Sequence, residues 1–76
     1  MLSFELCTNL EEPEMAWNWI PVNENDYKNF NHFLSSNNYV KSLKRDATAL
    51  LLVGVKNSNG YFISKETKRY WLQKIN

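Results

Sequence analysis

The chain has 76 residues and a formal net charge of +1, which leaves room for one domain with one hydrophobic core. A domain of this size buries only about 60% of the surface that its unfolded chain exposes, so its hydrophobic stabilisation is modest. A disulfide within the chain is excluded because Cys7 is the only cysteine. We expect Cys7 to be a small buried side chain in a protein of a reducing compartment.

The sequence predicts neither a targeting segment nor a membrane span. The first residues, MLSFELCTNLEEPE, contain no basic leader and become acidic where the apolar part of a signal peptide would continue. The longest apolar run, ALLLVGV, is far shorter than the roughly 18 residues that a spanning helix needs. We therefore expect a cytoplasmic protein that makes no contact with a membrane.

Charge is distributed unevenly along the chain. Residues 1–40 contain one base and six acids, a net charge of −5, whereas residues 41–76 contain eight bases and two acids, a net charge of +6. Such asymmetry is typical of a molecule with one face for an oppositely charged partner. The alternative is that the fold interleaves the two halves, so that their charges partly neutralise each other.

The first predicted element is a strand over LSFELC (residues 2–7), in which apolar residues alternate with others. Alternation with a period of two indicates a half-buried strand. An acidic loop, TNLEEPE (residues 8–14), follows it. The next stretch, MAWNWIPV (residues 15–22), is either a short second strand or an irregular aromatic segment that ends at Pro21.

A helix is predicted within NENDYKNFNHFLSSNN (residues 23–38), because its apolar residues recur at spacings of three and four. These residues are Tyr27, Phe30, Phe33 and Leu34. Asn23 or Asn25 can cap the start of this helix, and the run SSNN (residues 35–38) ends it. In NYVKSLKRD (residues 38–46) we expect one or two further helical turns.

A hairpin is predicted in the second half of the chain. TALLLVGVK (residues 48–56) is nearly all apolar and rich in β-branched and aliphatic residues, as a central strand covered on both faces would be. NSNG (residues 57–60) contains residues that tolerate positive φ and indicates a hairpin turn. It places Tyr61 to Ser64 beside Leu50 to Val55 as the partner strand.

The closing stretch, ISKETKRYWLQKIN (residues 63–76), can be a helix or a strand. As a helix over residues 65–75 it begins with Ser64 in a capping position and groups its aromatic residues on one side. As a strand it would need a tight turn at Glu66 and Thr67, and neither residue favours the positive φ of a two-residue hairpin. We predict the helix, with the strand as the alternative.

Together these elements predict a single α+β domain over residues 1–76. Its sheet would be mainly antiparallel with three or four strands, and two to three helices would pack on one face. No catalytic motif is present, and the only histidine, His32, has no nucleophile beside it in sequence. One histidine and one cysteine cannot form a standard zinc site. We predict a protein without enzymatic activity, metal or cofactor.

The predicted protein-binding site combines an acidic loop with two tryptophans: Glu11, Glu12, Glu14, Trp17 and Trp19. Three Trp, four Tyr and four Phe are more aromatic side chains than a core this small can hide, and exposed Trp and Tyr anchor interfaces. An acidic rim steers towards a basic partner, such as a larger host protein that handles nucleic acid. The other interpretation is that both tryptophans serve only to pack the core.

The composition suggests the kind of protein. Eleven asparagines, with only two glycines and two prolines, are typical of an AT-rich genome such as that of a phage or a plasmid. We therefore expect a regulator or inhibitor of a viral or mobile-element type, which docks on a larger host protein.

A nucleic-acid-binding module is the alternative function. Its predicted contacts are the bases of the second half: Lys41, Lys44, Arg45, Lys65, Lys68 and Arg69. Cations of this kind contact phosphates, and tyrosines interleaved with them stack on bases. The near-neutral net charge of the whole chain does not favour this alternative.

Overall fold

The computed structural model describes residues 2–75, which form a five-stranded antiparallel sheet with one α-helix. The strands are β1 (Leu2–Cys7), β2 (Ile20–Pro21), β3 (Tyr39–Lys41), β4 (Ala49–Val55) and β5 (Lys68–Lys74), and the helix is α1 (Phe30–Ser36). Single 3-10 turns lie in the connections at Glu14–Ala16, Glu24–Asp26, Lys44–Asp46 and Ser64–Glu66. The prediction of a small α+β domain with an antiparallel sheet is confirmed, whereas the predicted counts of three or four strands and two to three helices are wrong.

The sheet has the order β2-β1-β4-β5-β3, so the predicted central strand β4 lies in its middle. β4 pairs with β1 from Leu2↔Val55 to Cys7↔Leu50, and with β5 on its other edge. Because both faces of β4 are covered, an apolar run without alternation suits it. The predictions for residues 2–7 and for the central strand are confirmed.

One face of the sheet, here called the helix face, is covered by α1 and the segment before it. Phe33 of α1 is fully buried there, with its ring centroid 5.6 Å from that of Phe4 and 6.0 Å from that of Tyr39. All residues of this core are buried: Phe4, Tyr27, Phe33, Tyr39, Ala49, Leu51 and Leu72. The main hydrophobic core of the domain therefore lies under α1.

The helix predicted within residues 23–38 forms, but its predicted start at Asn23 or Asn25 is wrong. Asn23 caps a single 3-10 turn, and the chain is extended again at Tyr27. This break lets the Tyr27 ring stack on Phe4, with the centroids 3.9 Å apart. Asn29 is the cap of α1, because its Oδ1 accepts a hydrogen bond of 2.8 Å from the backbone N–H of His32.

The predicted end of this helix is confirmed, and the helical turns expected after it are wrong. α1 ends at Ser36, and Asn38 has a φ of 58°, a left-handed conformation that asparagine tolerates. The next residues form the edge strand β3 and one 3-10 turn instead of a helix. The extended backbone places the Tyr39 ring in the core beside Phe33.

The predicted C-terminal helix is wrong, since most of this stretch forms β5. β4 is buried, so the N–H and C=O groups along its second edge need partners, and β5 supplies them from Ala49↔Leu72 to Val53↔Lys68. A helix in this position would leave that edge unpaired. The strand needs no two-residue hairpin turn, because a 3-10 turn over Ser64–Glu66 leads the chain into it.

The hairpin predicted after β4 forms only in part. Its turn is present: Gly60 has a φ of 87°, and its N–H donates to the Asn57 carbonyl oxygen at 3.1 Å. Its partner strand is reduced to one bridge, Lys56↔Phe62. Within residues 2–75 no helix has the length and apolar character that crossing a membrane requires.

Candidate protein-binding pocket

The sheet face opposite α1, here called the loop face, is covered by two irregular segments. By register, Cys7, Leu50 and Trp71 lie side by side on this face, and the first two are fully buried. The Trp17 ring packs edge to face against Trp71, with the centroids 6.5 Å apart and the planes at 83°. The first covering segment is therefore residues 8–19, between β1 and β2.

Asn9 fixes the shape of this segment. Its Oδ1 accepts hydrogen bonds from the backbone N–H of Asn18 at 3.0 Å and from the Cys7 thiol at 3.1 Å. Its Nδ2 donates to the carbonyl oxygen of Ala16 at 3.1 Å. One side chain thus ties the start of the segment to its end, which an amide can do because it both donates and accepts.

The indole of Trp17 is oriented by the acidic loop itself. Its Nε1–H donates a hydrogen bond of 2.9 Å to the backbone carbonyl oxygen of Glu12. A buried or half-buried indole needs such a partner for its one donor. This hydrogen bond helps to fix the ring nearly perpendicular to Trp71. The 3-10 turn at Glu14–Ala16 lies directly before Trp17 in the chain.

An open pocket of about 580 Å³ lies between this segment and the sheet. We call it the tryptophan pocket. Its lining comes from both halves of the chain: Thr8, Leu10, Glu11, Glu14, Trp17, Lys44, Ala47, Thr48 and Trp71. Its volume falls within the range of about 300–1,000 Å³ that is common for ligand pockets.

The pocket carries both signs of charge, with the acids in excess. The side chains of Glu11, Glu14 and Lys44 are all exposed. The ammonium of Lys44 lies 5.6 Å from the centroid of the Trp71 ring, a cation–π distance. Among residues 2–75 the ion pairs are Glu5 with Lys56 and Arg45 with Asp46, so neither pocket carboxylate is paired.

The structure brings three of the five predicted protein-binding residues to the pocket: Glu11, Glu14 and Trp17. Glu12 contributes its carbonyl oxygen to Trp17, while its side chain is exposed. Trp19 packs against Trp17, with the centroids 6.4 Å apart, but does not line the pocket. Both tryptophans are half-buried, so they pack and are accessible at the same time.

Trp71 is a pocket residue that the sequence did not predict for this site. In a helix it would join Tyr70 on the core side, whereas in β5 it points away from Tyr70 and Leu72 onto the loop face. In a strand over residues 68–74, alternation places Trp71 on the face opposite Tyr70 and Leu72. Lys44 was predicted only as a phosphate contact, since nothing in the sequence places it beside an indole.

The structure does not gather the predicted nucleic-acid contacts on one face. Lys41 lies on the helix face, with its ammonium 5.2 Å from the Phe30 ring centroid, whereas Arg69 lies on the loop face beside Leu52. By alternation, Lys68 lies on the opposite face from Arg69. The remaining cations occupy 3-10 turns: Lys44, Arg45 and Lys65.

A second, smaller cavity of about 260 Å³ lies on the loop face. Its lining consists of Leu52, Phe62, Ser64, Thr67 and Arg69, from β4, β5 and the segment between them. Arg69 is exposed there, so this cavity holds no buried charge. Among residues 2–75 no three His, Cys, Asp or Glu side chains are grouped closely enough to hold a metal ion.

Comparison of the chain with protein-family models, curated proteins and solved structures gave no match in any of the three.

Proposed function

We propose that this chain is a small binding protein that docks on a larger host protein with a basic surface. The docking surface is the tryptophan pocket together with the turn at Glu14–Ala16 beside it. One observation carries the proposal: half-buried Trp17 and Trp71 meet, at one opening, two carboxylates that have no ion-pair partner among residues 2–75. The proposal requires binding alone and assigns no catalytic role to any residue.

The surface has the composition of an interface. Tryptophan in a concave site is the residue type that most often contributes a large share of binding energy. Met15 is 96% exposed on the turn beside the pocket, and methionine is enriched in interfaces because it adapts its shape to a partner. The carboxylates around these groups would speed association with a basic surface and disfavour an acidic one.

A regulator or inhibitor acts in this way by covering a surface that its target needs. A chain of 76 residues can cover such a surface without chemistry of its own. The asparagine-rich composition supports a phage or a mobile element as its source, and a host protein that handles nucleic acid offers the basic surface that the pocket would favour.

The first experiment locates the contact surface. A photo-crosslinking residue is placed at Met15, and a second variant carries it at Tyr61, which is 72% exposed in the turn region after β4. In host lysate we expect one protein to crosslink from position 15 and not from position 61. Equal crosslinking from both positions would contradict the assigned surface.

The second experiment measures affinity for the purified crosslinked protein by calorimetry. Glu11→Gln with Glu14→Gln should weaken binding by about tenfold or more, as loss of charged interface contacts does. The matched control is Glu24→Gln with Asp26→Asn, because those acids lie on a similar exposed 3-10 turn outside the pocket. The control should bind like the unchanged chain, and equal losses in both variants would overturn the proposal.

The nucleic-acid-binding alternative makes a separate prediction. Binding through Lys65, Lys68 and Arg69 would show retention on heparin and mixed oligonucleotides, with affinity falling steeply between about 50 and 200 mM salt. The exposed Tyr61 would then be available for stacking on a base. Retention that disappears on replacing these three cations, while the carboxylate variants bind normally, would favour this alternative.

A further inference from the structure

We infer that the tryptophan pocket receives an arginine side chain of the partner, and that Lys44 occupies the cation position on Trp71 until the partner binds. This inference rests on the proposed function and adds the chemistry of the occupant. It is carried by three features of the pocket: the two crossed indoles, two carboxylates with no ion-pair partner among residues 2–75, and the cation that already lies on one of the rings.

The indoles provide two aromatic walls. Trp17 and Trp71 both line the pocket, and their ring planes lie at 83° to each other. Tryptophan is the strongest cation–π acceptor among the side chains. The short distance from the Lys44 ammonium to the Trp71 ring centroid, 5.6 Å, shows that this face is accessible to a cation.

The carboxylates select a cation over an anion. Glu11 and Glu14 give the pocket two negative charges against the single positive charge of Lys44. An acidic side chain entering the pocket would meet two like charges, which costs binding energy. Neither carboxylate has an ion-pair partner among residues 2–75, so both can accept hydrogen bonds from a donor on the partner.

Arginine fits these features better than lysine. Its guanidinium is planar, so it can stack on an indole while its five N–H donors reach carboxylates at the edge of the plane. It is also more weakly hydrated than an ammonium, which lowers the cost of leaving water for a half-open pocket. A lysine of the partner would only reproduce the contact that Lys44 already makes.

Lys44 therefore acts as an internal competitor. Its ammonium is exposed and has no carboxylate partner among residues 2–75, so moving it off the Trp71 face breaks no ion pair. Replacing it with a neutral residue frees the ring and removes a positive charge from the pocket. Both changes should strengthen the binding of an incoming cation and weaken the binding of an anion.

The test uses short peptides and the complete chain. The probe is acetyl-Gly-Arg-Gly-amide, and its control contains citrulline, which has the same shape without the charge. The readout is the ¹⁵N–¹H spectrum of the indole N–H groups during titration. We expect the arginine peptide to shift the Trp17 and Trp71 signals at millimolar concentration and the citrulline peptide to have little effect. Equal shifts with both peptides, or none with either, would overturn the inference.

The decisive variant is Lys44→Gln, with Arg45→Gln as the matched control. Arg45 is the neighbouring exposed cation, but it pairs with Asp46 and does not line the pocket. Lys44→Gln should bind the arginine peptide about threefold to tenfold more tightly, while Arg45→Gln should be unchanged. Unchanged or weaker binding of the arginine peptide by Lys44→Gln would contradict the inference, because Lys44 would then not compete with the incoming cation.

Failure here and failure of the proposed function can be told apart. If the partner protein crosslinks from position 15 and loses affinity with Glu11→Gln and Glu14→Gln, the docking surface stands. If Lys44→Gln then weakens affinity for the same partner, the arginine assignment alone is wrong. Tighter binding of both partner and peptide by Lys44→Gln supports the surface and the occupant together.

Discussion

The two faces of the sheet are built differently. The helix face is closed by α1, and Phe33 and Leu51 are completely buried beneath it. The loop face is covered by chain with little regular structure, and its largest side chains, Trp17, Trp19 and Trp71, remain half-buried. Trp17 and Trp71 line an open pocket there. The comparison indicates that the main hydrophobic core lies on the helix face, whereas the loop face presents partly exposed indoles.

The largest expected effect is on the helix face. Phe33→Ala should lower the free energy of unfolding by about 3–5 kcal/mol, because it removes a fully buried ring and leaves a cavity. Urea denaturation followed by circular dichroism measures this loss. Trp17→Ala is the comparison on the loop face, and its loss should be clearly smaller although the side chain is larger. Equal losses would mean that the two faces contribute equally to stability.

Gly54 tests how closely the second covering segment, residues 56–67 between β4 and β5, approaches the loop face. A Cβ at this position would lie 2.9 Å from Thr67 Oγ1 and 3.0 Å from the Thr67 Cα, so the backbone of the segment would have to move. Gly54→Ala should therefore destabilise the chain by about 1–3 kcal/mol. Without this contact the same change would stabilise a strand by about 0.4–1 kcal/mol, so a gain in stability would contradict the packing.

The ion pair between Glu5 and Lys56 should have a smaller effect. It joins β1 to the end of β4 on the loop face at 2.6 Å, and both side chains are at most one quarter exposed. A double-mutant cycle with Glu5→Gln and Lys56→Gln should give a coupling of about 1 kcal/mol, after discounting for solvent screening. The exposed Arg45–Asp46 pair is the comparison and should couple more weakly. A larger coupling in the exposed pair would reverse the expected order.

The smallest predicted effect is a loss of stability at alkaline pH. Burial raises the pKa of Tyr27 and of Tyr39 above the ordinary value near 10, and Glu24 adds to the increase at Tyr27. The unfolded chain therefore loses these protons first, and stability should fall as pH rises above about 10. Phenolate absorbance during a pH titration measures this order. The prediction is contradicted if Tyr27 and Tyr39 ionise at the ordinary value near 10 in the folded chain.

The sequence predicts those strands whose apolar residues follow a simple pattern, either strict alternation or a continuous apolar run. β1 alternates, and β4 is apolar throughout because it lies in the middle of the sheet. β5 violates both patterns, since Tyr70, Trp71 and Leu72 follow one another and serve opposite faces. On a helical wheel Tyr70 and Trp71 fall on one side and only Leu72 is displaced, whereas in a strand the three divide between two covered faces. Periodicity alone could therefore not decide.

Of the two groups of residues that line the candidate site, the sequence predicted only the acidic loop and Trp17. The acidic loop and Trp17 are adjacent in sequence, so their joint role could be proposed from composition. Trp71 and Lys44 join them through strand pairing and through the turn after β3, which depend on contacts distant in sequence. The contribution of Trp71 and Lys44 to the pocket therefore could not be predicted without the fold.

The most direct test of the central claim is the ¹⁵N–¹H spectrum of this chain in complex with its crosslinked partner. The loop face is the docking surface in our account, so the Trp17 and Trp71 indole N–H signals should shift strongly on binding. The backbone signals of α1, on the closed helix face, should stay near their free positions. Strong shifts confined to α1, with unchanged indole signals, would contradict the claim and place the interface on the other side of the sheet.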